Sequence, residues 1–177
     1  MAATTARSIT DRMIGALRLD VATYEEIEAD KKATGEAAFV IVASSFVAAA
    51  GYALLRGGTV NAGLLGAIAE LIGWAIYAWL AWFVGTKILP GQQTRSTWGE
   101  VARTLGYATT PRFALILVAI PGIGGLVRIA VTIWIFVATL VALRSALDCG
   151  VVRALVVAIL ASFAYAAVSA LILSLLS

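Results

Sequence analysis

Five apolar stretches, each long enough to cross a bilayer and joined by short links, constrain this 177-residue chain more than any other feature. They run over residues 36–55, 63–88, 98–120, 122–147 and 151–176. A helix needs about 20 mostly apolar residues to traverse the hydrocarbon core. Inside that core the backbone must satisfy its own hydrogen bonds, which a helix does. Charged residues make up 13% of the chain, where a soluble domain carries about 25%. In water such a composition would leave far more apolar surface exposed than a monomeric fold tolerates. The sequence therefore predicts an all-α integral membrane protein. A bundle of five transmembrane helices occupies 35–177, preceded by a short amphipathic and acidic juxtamembrane helical segment at 1–34.

The head does not read as a signal peptide, because Asp11, Asp20 and a run of Glu follow Arg7 where an apolar core would be needed. Ser8 with Asp11 makes a capping signal for a helix from Ile9 to about residue 19. Ile9, Met13, Ala16 and Leu17 fall on one side of it, with Asp11, Arg12 and Arg18 away from the centre of that stripe. Such a helix lies on the membrane surface or against the bundle. Thr23 with Glu26 predicts a second helix over 24–34, whose Glu25, Glu26, Glu28, Asp30, Lys31 and Lys32 imply a solvated face.

Turn residues punctuate the links: Gly57, Gly58 and Asn61, then Pro90 and Gly91, then Pro121 to Gly125, then Asp148 to Gly150. Thr97 with Glu100 caps the third stretch. Short links make successive helices antiparallel neighbours. With the N-terminus in the cytoplasm, Arg7, Arg12, Arg18, Lys31, Lys32, Lys87, Arg95, Arg103, Arg112, Arg144 and Arg153 lie toward that side, leaving Arg56 and Arg128 toward the other. This bias sets the orientation and places the C-terminus on the opposite side. Trp74, Trp79, Trp82, Trp98 and Trp134 serve as packing residues or interface anchors, and Ala48 to Gly51, Gly63, Gly66, Gly73, Ala158, Ala161 and Ala164 permit close helix contact.

Enzyme chemistry finds little to work with. The chain has no histidine, which removes any Ser-His or Cys-His nucleophile. Cys149 is the single cysteine, so no intrachain disulfide or thiol pair can form. Gly122 to Gly125 lacks the Lys-Ser/Thr of a phosphate loop. No catalytic residue, cofactor site or metal site is expected. The net charge of +3 suits anionic lipid headgroups rather than nucleic acid. Ionisable groups inside a membrane are costly and have a partner or a task. Glu70, Arg112 and Arg128 fall within roughly 9–12 Å of the outer boundary. Equal depth makes Glu70 with Arg128 the first expectation for a pair, and Glu70 with Arg112 the second. A structural ion pair that fixes helix register stands ahead of transport or proton relay. In the segment Gly106-Tyr107-Ala108-Thr109-Thr110-Pro111-Arg112-Phe113, Pro111 should kink or break the helix while Thr109 and Thr110 satisfy the freed carbonyls. Such a kink either opens a small polar cavity toward the cytoplasm or serves packing alone.

Taken together, the segment Leu19-Asp20-Val21-Ala22-Thr23-Tyr24-Glu25-Glu26-Ile27-Glu28, the Gly106-Tyr107…Pro111 element and the five-helix, N-inside layout resemble the Yip-domain family in its prokaryotic branch. The resemblance spans about residues 10–177. It implies a multi-pass protein of a prokaryotic inner membrane, working as a small accessory or scaffolding component. Its partners would be lipid, other membrane-protein subunits or further copies of itself. Eukaryotic members bind Rab-type GTPases, but the Asp-Leu-Tyr-Gly-Pro-type motif of that branch is absent. A small oligomeric channel or transporter using Glu70, Arg112 and Arg128 is the alternative.

Overall fold

The computed structural model describes residues 7–56, 60–91 and 94–176, all of them helix or connecting turn. Two short helices come first, α1 (Ile9–Leu17) and α2 (Val21–Ala29), followed by the long α3 (Ala33–Arg56) and α4 (Val60–Phe83). α4 runs on into a π-helical turn, Val84–Ile88. Then come α5 (Trp98–Tyr107), a 3-10 helix at Thr110–Ala119, α6 (Gly124–Ala146) and α7 (Val151–Leu176). Four of these elements are long and apolar enough to cross a membrane: Ala33–Leu55, Gly66–Ile88, Gly124–Ala146 and Val151–Leu171.

Local chemistry sets the boundaries. Ser8 and Asp11 form a reciprocal capping box at the start of α1, as the sequence indicated. α2 departs from expectation. It begins three residues earlier, with Asp20 at the cap position, because the Thr23 hydroxyl is taken by Asp20 and the Glu26 carboxylate by Arg7 and Arg12. α1 and α6 both end in a residue held in the left-handed region, Leu19 (φ 59°) and Asp148 (φ 46°). At each, two backbone bonds close the last carbonyls: Asp20 to Gly15 and Leu19 to Ala16, and Cys149 to Arg144 and Asp148 to Ser145. The Gly57–Gly58 turn lies outside the described residues, and Asn61 belongs to α4 rather than to a turn.

The core is densest at the end of the bundle that carries Asp148. There Ala78, Ala81, Ala102, Val101, Ala138, Leu143, Ala154 and Val157 are fully buried. Toward the Pro121 end, α6 and α7 expose large apolar side chains such as Leu126, Ile129, Ile133 and Phe163. Lipid, not protein, covers such a face in a membrane bundle. The third stretch is the central element, packing against α3, α4 and α6, and it is not a single helix: α5 ends at Tyr107 and the 3-10 helix starts at Thr110. Its polar composition is tolerated because α5 is enclosed by neighbours, with every residue from Val101 to Tyr107 buried.

Candidate functional site

Position in the third stretch is fixed by side chains that bond backbone. Thr97 and Glu100 cap α5 reciprocally. The Trp74 indole donates to the Ala102 carbonyl at 2.8 Å, and those of Trp82 and Trp98 donate to Ser96 and Ala75 at 2.9 and 3.3 Å. Trp134 donates to Leu17 at 3.0 Å, pinning the end of α1 onto α6. Pro111 breaks the helix rather than kinking it. Its missing N–H would have served the Tyr107 carbonyl, four residues back, and the Thr110 hydroxyl donates there at 2.6 Å instead. Thr109 does the same for Gly106 at 2.7 Å. Gly106 is required by close approach: a Cβ there would stand 2.6 Å from Ala37 Cβ on α3.

Arg12, expected away from the centre of the apolar stripe of α1, is 2% exposed, because positions 9, 12, 13 and 16 make one helical face and that face packs against protein. Its guanidinium meets Glu26 at 3.1 Å, Asp30 at 2.7 Å and Glu36 at 2.8 Å. Glu36, in the first turn of α3, also accepts the Tyr107 hydroxyl. One arginine thus ties α1, the acidic end of α2, the start of α3 and the Gly106–Tyr107 element into a single network. Burial opposes the Arg12 charge, but the bonds to Asp30, Glu36 and Glu26 outweigh it and hold the guanidinium protonated. Arg12 and the backbone N–H of Lys32 hold the Asp30 carboxyl below its usual range.

A second buried arginine completes the clamp. Arg103 Nε donates to the Ile27 and Glu28 carbonyls at 3.0 and 2.6 Å, and its terminal nitrogen also donates to Glu28. A cation on the last carbonyls of α2 complements the negative end of that helix. Burial, then the nearby Asp148 and Glu100, push the Glu28 carboxyl up to about 7, with Arg103 opposing. Arg153 caps the π-helical turn of α4 in the same way, donating to Gly85 at 3.0 Å and to Leu89. Cys149 is half-buried, and burial raises its thiol.

Glu70 pairs with Arg112, not with Arg128. Two parallel bonds of 2.6 and 2.8 Å join the groups, a fork geometry that arginine suits. Equal depth did not discriminate between the two arginines; lateral position did, since the third stretch lies against α4. Arg128 is exposed near the Pro121 end and makes no ion pair among the described residues. It lines a cavity of about 330 Å³ with Tyr52, Leu55, Val118 and the Pro121–Gly125 turn. Glu70 is 44% exposed against 19% for Arg112 and lines a cavity of about 480 Å³ that also touches Thr109, Tyr77 and Tyr165. A neighbouring cavity of about 510 Å³ shares Tyr77, Ile135 and Thr139 with it and reaches the surface beside Phe163. Toward the Asp148 end the fully buried alanines and Leu143 close the bundle. Among the described residues no group of three His, Cys, Asp or Glu side chains could hold a metal ion.

Four bilayer-length apolar helices around a central, polar, hydrogen-bonded element define the class: a multi-pass helical integral membrane protein. The sequence pattern of the Yip1 domain matches residues 14–173, nearly the whole chain. The chain belongs to the Yip1 domain family. Neither the curated proteins nor the solved structures contain a match to it. Glu26, Asp30, Glu36 and Tyr107 lie inside the matched region, while Arg12, which joins them, stands just before it.

Proposed function

We propose that this chain is a non-enzymatic membrane protein that acts by binding, as a scaffold or accessory subunit of a membrane assembly. The observation that carries the reading is the α1–α2 unit, clamped onto α3 and α5 by Arg12 and Arg103. A clamped unit of this kind offers a partner a surface whose ordering entropy has already been met. Its natural partners are other subunits, further copies of the chain and the lipid around it; nucleic acid is not among them.

The topology belongs to the same proposal. The third stretch crosses as a fifth span, made of ten α-helical and ten 3-10 residues. At about 1.5 and 2.0 Å per residue these cover roughly 35 Å, enough for the hydrocarbon core of about 30 Å. Five spans keep Arg144 and Arg153 on the cytoplasmic side with the N-terminus, and α1 and α2 form the juxtamembrane unit of residues 1–34. A prokaryotic inner membrane suits this layout.

Purification from native membranes through a C-terminal tag tests the reading. The parent protein should bring down a stoichiometric partner, and Arg12→Gln should release it while helical content persists. Solute or proton flux through vesicles containing the pure protein, abolished by Glu70→Gln, would instead establish the channel or transporter reading. The closed core at the Asp148 end speaks against such a path.

A further inference from the structure

Ten consecutive residues, Thr110–Ala119, run as a 3-10 helix in the middle of the bundle. Runs beyond three or four residues are uncommon, because i→i+3 bonds have poorer geometry, and such a stretch often marks a hinge. The local sequence does not demand it. After Pro111, which an α-helix accepts in its first turn, the residues are Phe, Ala, Leu and other ordinary apolar types.

The surroundings do demand it. Two close contacts set the register of the third stretch on α3: Gly106 lies against Ala37, and Gly51 lies against Leu115, whose carbonyl oxygen would be 2.3 Å from a Cβ at 51. Between those contacts α3 advances fourteen residues, from 37 to 51, and the third stretch only nine, from 106 to 115. Fourteen α-helical residues cover about 21 Å and nine about 14 Å. The 3-10 helix begins at Thr110, so about six of the nine steps take its rise and the nine together cover about 16 Å. The extended form narrows the mismatch between the two contacts. The Glu70–Arg112 pair anchors the start of the segment to α4.

We propose that Thr110–Ala119 is a length switch: a 3-10 helix while the Glu70–Arg112 pair and the Gly51 contact both hold, and an α-helix when either is released. Conversion shortens ten residues by about 5 Å and reduces the turn from each side chain to the next by about 20°. α5 is the fixed end, held by Arg103, Trp74 and Tyr107. The Pro121–Gly125 turn is the moving end; it is largely exposed, with Gly122 at φ 84°. The turn is drawn toward Arg112, and the Arg128-lined cavity, walled by Val118 and Ile120 of this same stretch, changes shape. The switch therefore links that cavity to the Glu70–Arg112 pair, while the Arg12–Glu36–Tyr107 network holds the near end still.

Pulsed electron-spin distance measurement on the full chain in lipid nanodiscs tests this. Labels go on Ile88→Cys and Ile123→Cys, both exposed and at opposite ends of the bundle, in a Cys149→Ser background. The parent should give one long distance. Glu70→Gln, which frees Arg112, and Gly51→Ala, whose added methyl displaces Leu115, should each add a population shorter by about 5 Å. The two variants act on different anchors, so loss of fold in one leaves the other informative. The unchanged parental distance in a folded variant overturns the switch.

Discussion

Replacing Arg12 with Gln removes the one cation shared by Glu26, Asp30 and Glu36 and leaves three carboxylates gathered around its former place. Removing one partner from a buried ion pair costs about 3–5 kcal/mol, whereas exposed pairs are worth about 0–1 kcal/mol. Arg12 is 2% exposed, but its partners are 29–32% exposed, so water relieves part of the loss. A cost of about 2–3 kcal/mol follows. For a chain of this size each kcal/mol moves the midpoint by about 2–4 °C, giving a drop of roughly 4–12 °C. Tryptophan fluorescence during heating in mild detergent reads it, with Trp134 reporting the end of α1 that it holds. Arg12→Lys should fall between the two, since a compact ammonium cannot span three carboxylates as a planar guanidinium does. A midpoint for Arg12→Gln within about 1 °C of the parent would refute the reasoning.

Three further outcomes follow from the same geometry. In a double-mutant cycle, Glu70→Gln with Arg112→Gln should show a coupling of about 0.5–3 kcal/mol, while Glu70→Gln with Arg128→Gln should be additive; thermal melts decide between the arginines. Gly106→Ala should destabilise by about 1–3 kcal/mol, because its methyl meets Ala37 and the core there has no room. Two pH effects have opposite signs. Asp11, Asp20 and Asp30 are held below their usual range, so their contribution is present above the unfolded carboxyl range of about 3.9 and is lost as pH falls through their folded values. Glu28 is pushed up to about 7, so the folded state holds its proton and stability declines as pH rises from about 4.3 toward 7. Glu28→Gln should flatten that decline without touching the acid limb, as melts between pH 4 and 8 would show.

Much of this architecture was legible, and what was not has a physical reason in each case. Length and hydropathy located the four bilayer-length helices to within a few residues, because crossing lipid leaves few alternatives. The caps at Ser8 and Thr97 were readable because Ser or Thr followed by an acid three residues on is a local signal. Thr23 and Glu26 carried the same signal and failed, since tertiary partners Asp20 and Arg12 claimed both side chains. The break at Pro111 and its rescue by two threonines were local chemistry and could be anticipated. The 3-10 continuation could not, because it follows from register against α3.

The site was legible only in part. Glu70 and Arg112 announced themselves as charges in apolar surroundings, but the choice between Arg112 and Arg128 depended on which helix lies beside α4. Arg12 was placed away from the centre of the Ile9, Met13, Ala16 and Leu17 stripe, the ordinary position for a charge. The one signal for it was its place on the 9, 12, 13, 16 face, which a strict wheel would have marked as buried. Glu36 was read as the edge of an apolar stretch, and Arg103 as part of a cytoplasmic count. Both turn inward because their partners, Tyr107 and the carbonyls of α2, arrive from elements distant in sequence.

In the proposed topology the third stretch crosses the membrane as a fifth span, although it is broken, polar and enclosed by the other helices. Side-specific cysteine labelling measures this directly in a Cys149→Ser background, with single cysteines at Arg95 and Gly122 probed by a membrane-impermeant maleimide from each face. With five spans, Arg95→Cys reacts only from the cytoplasmic face and Gly122→Cys only from the opposite one. Labelling of both from the same face would contradict that topology and leave four crossings around a segment that enters and returns.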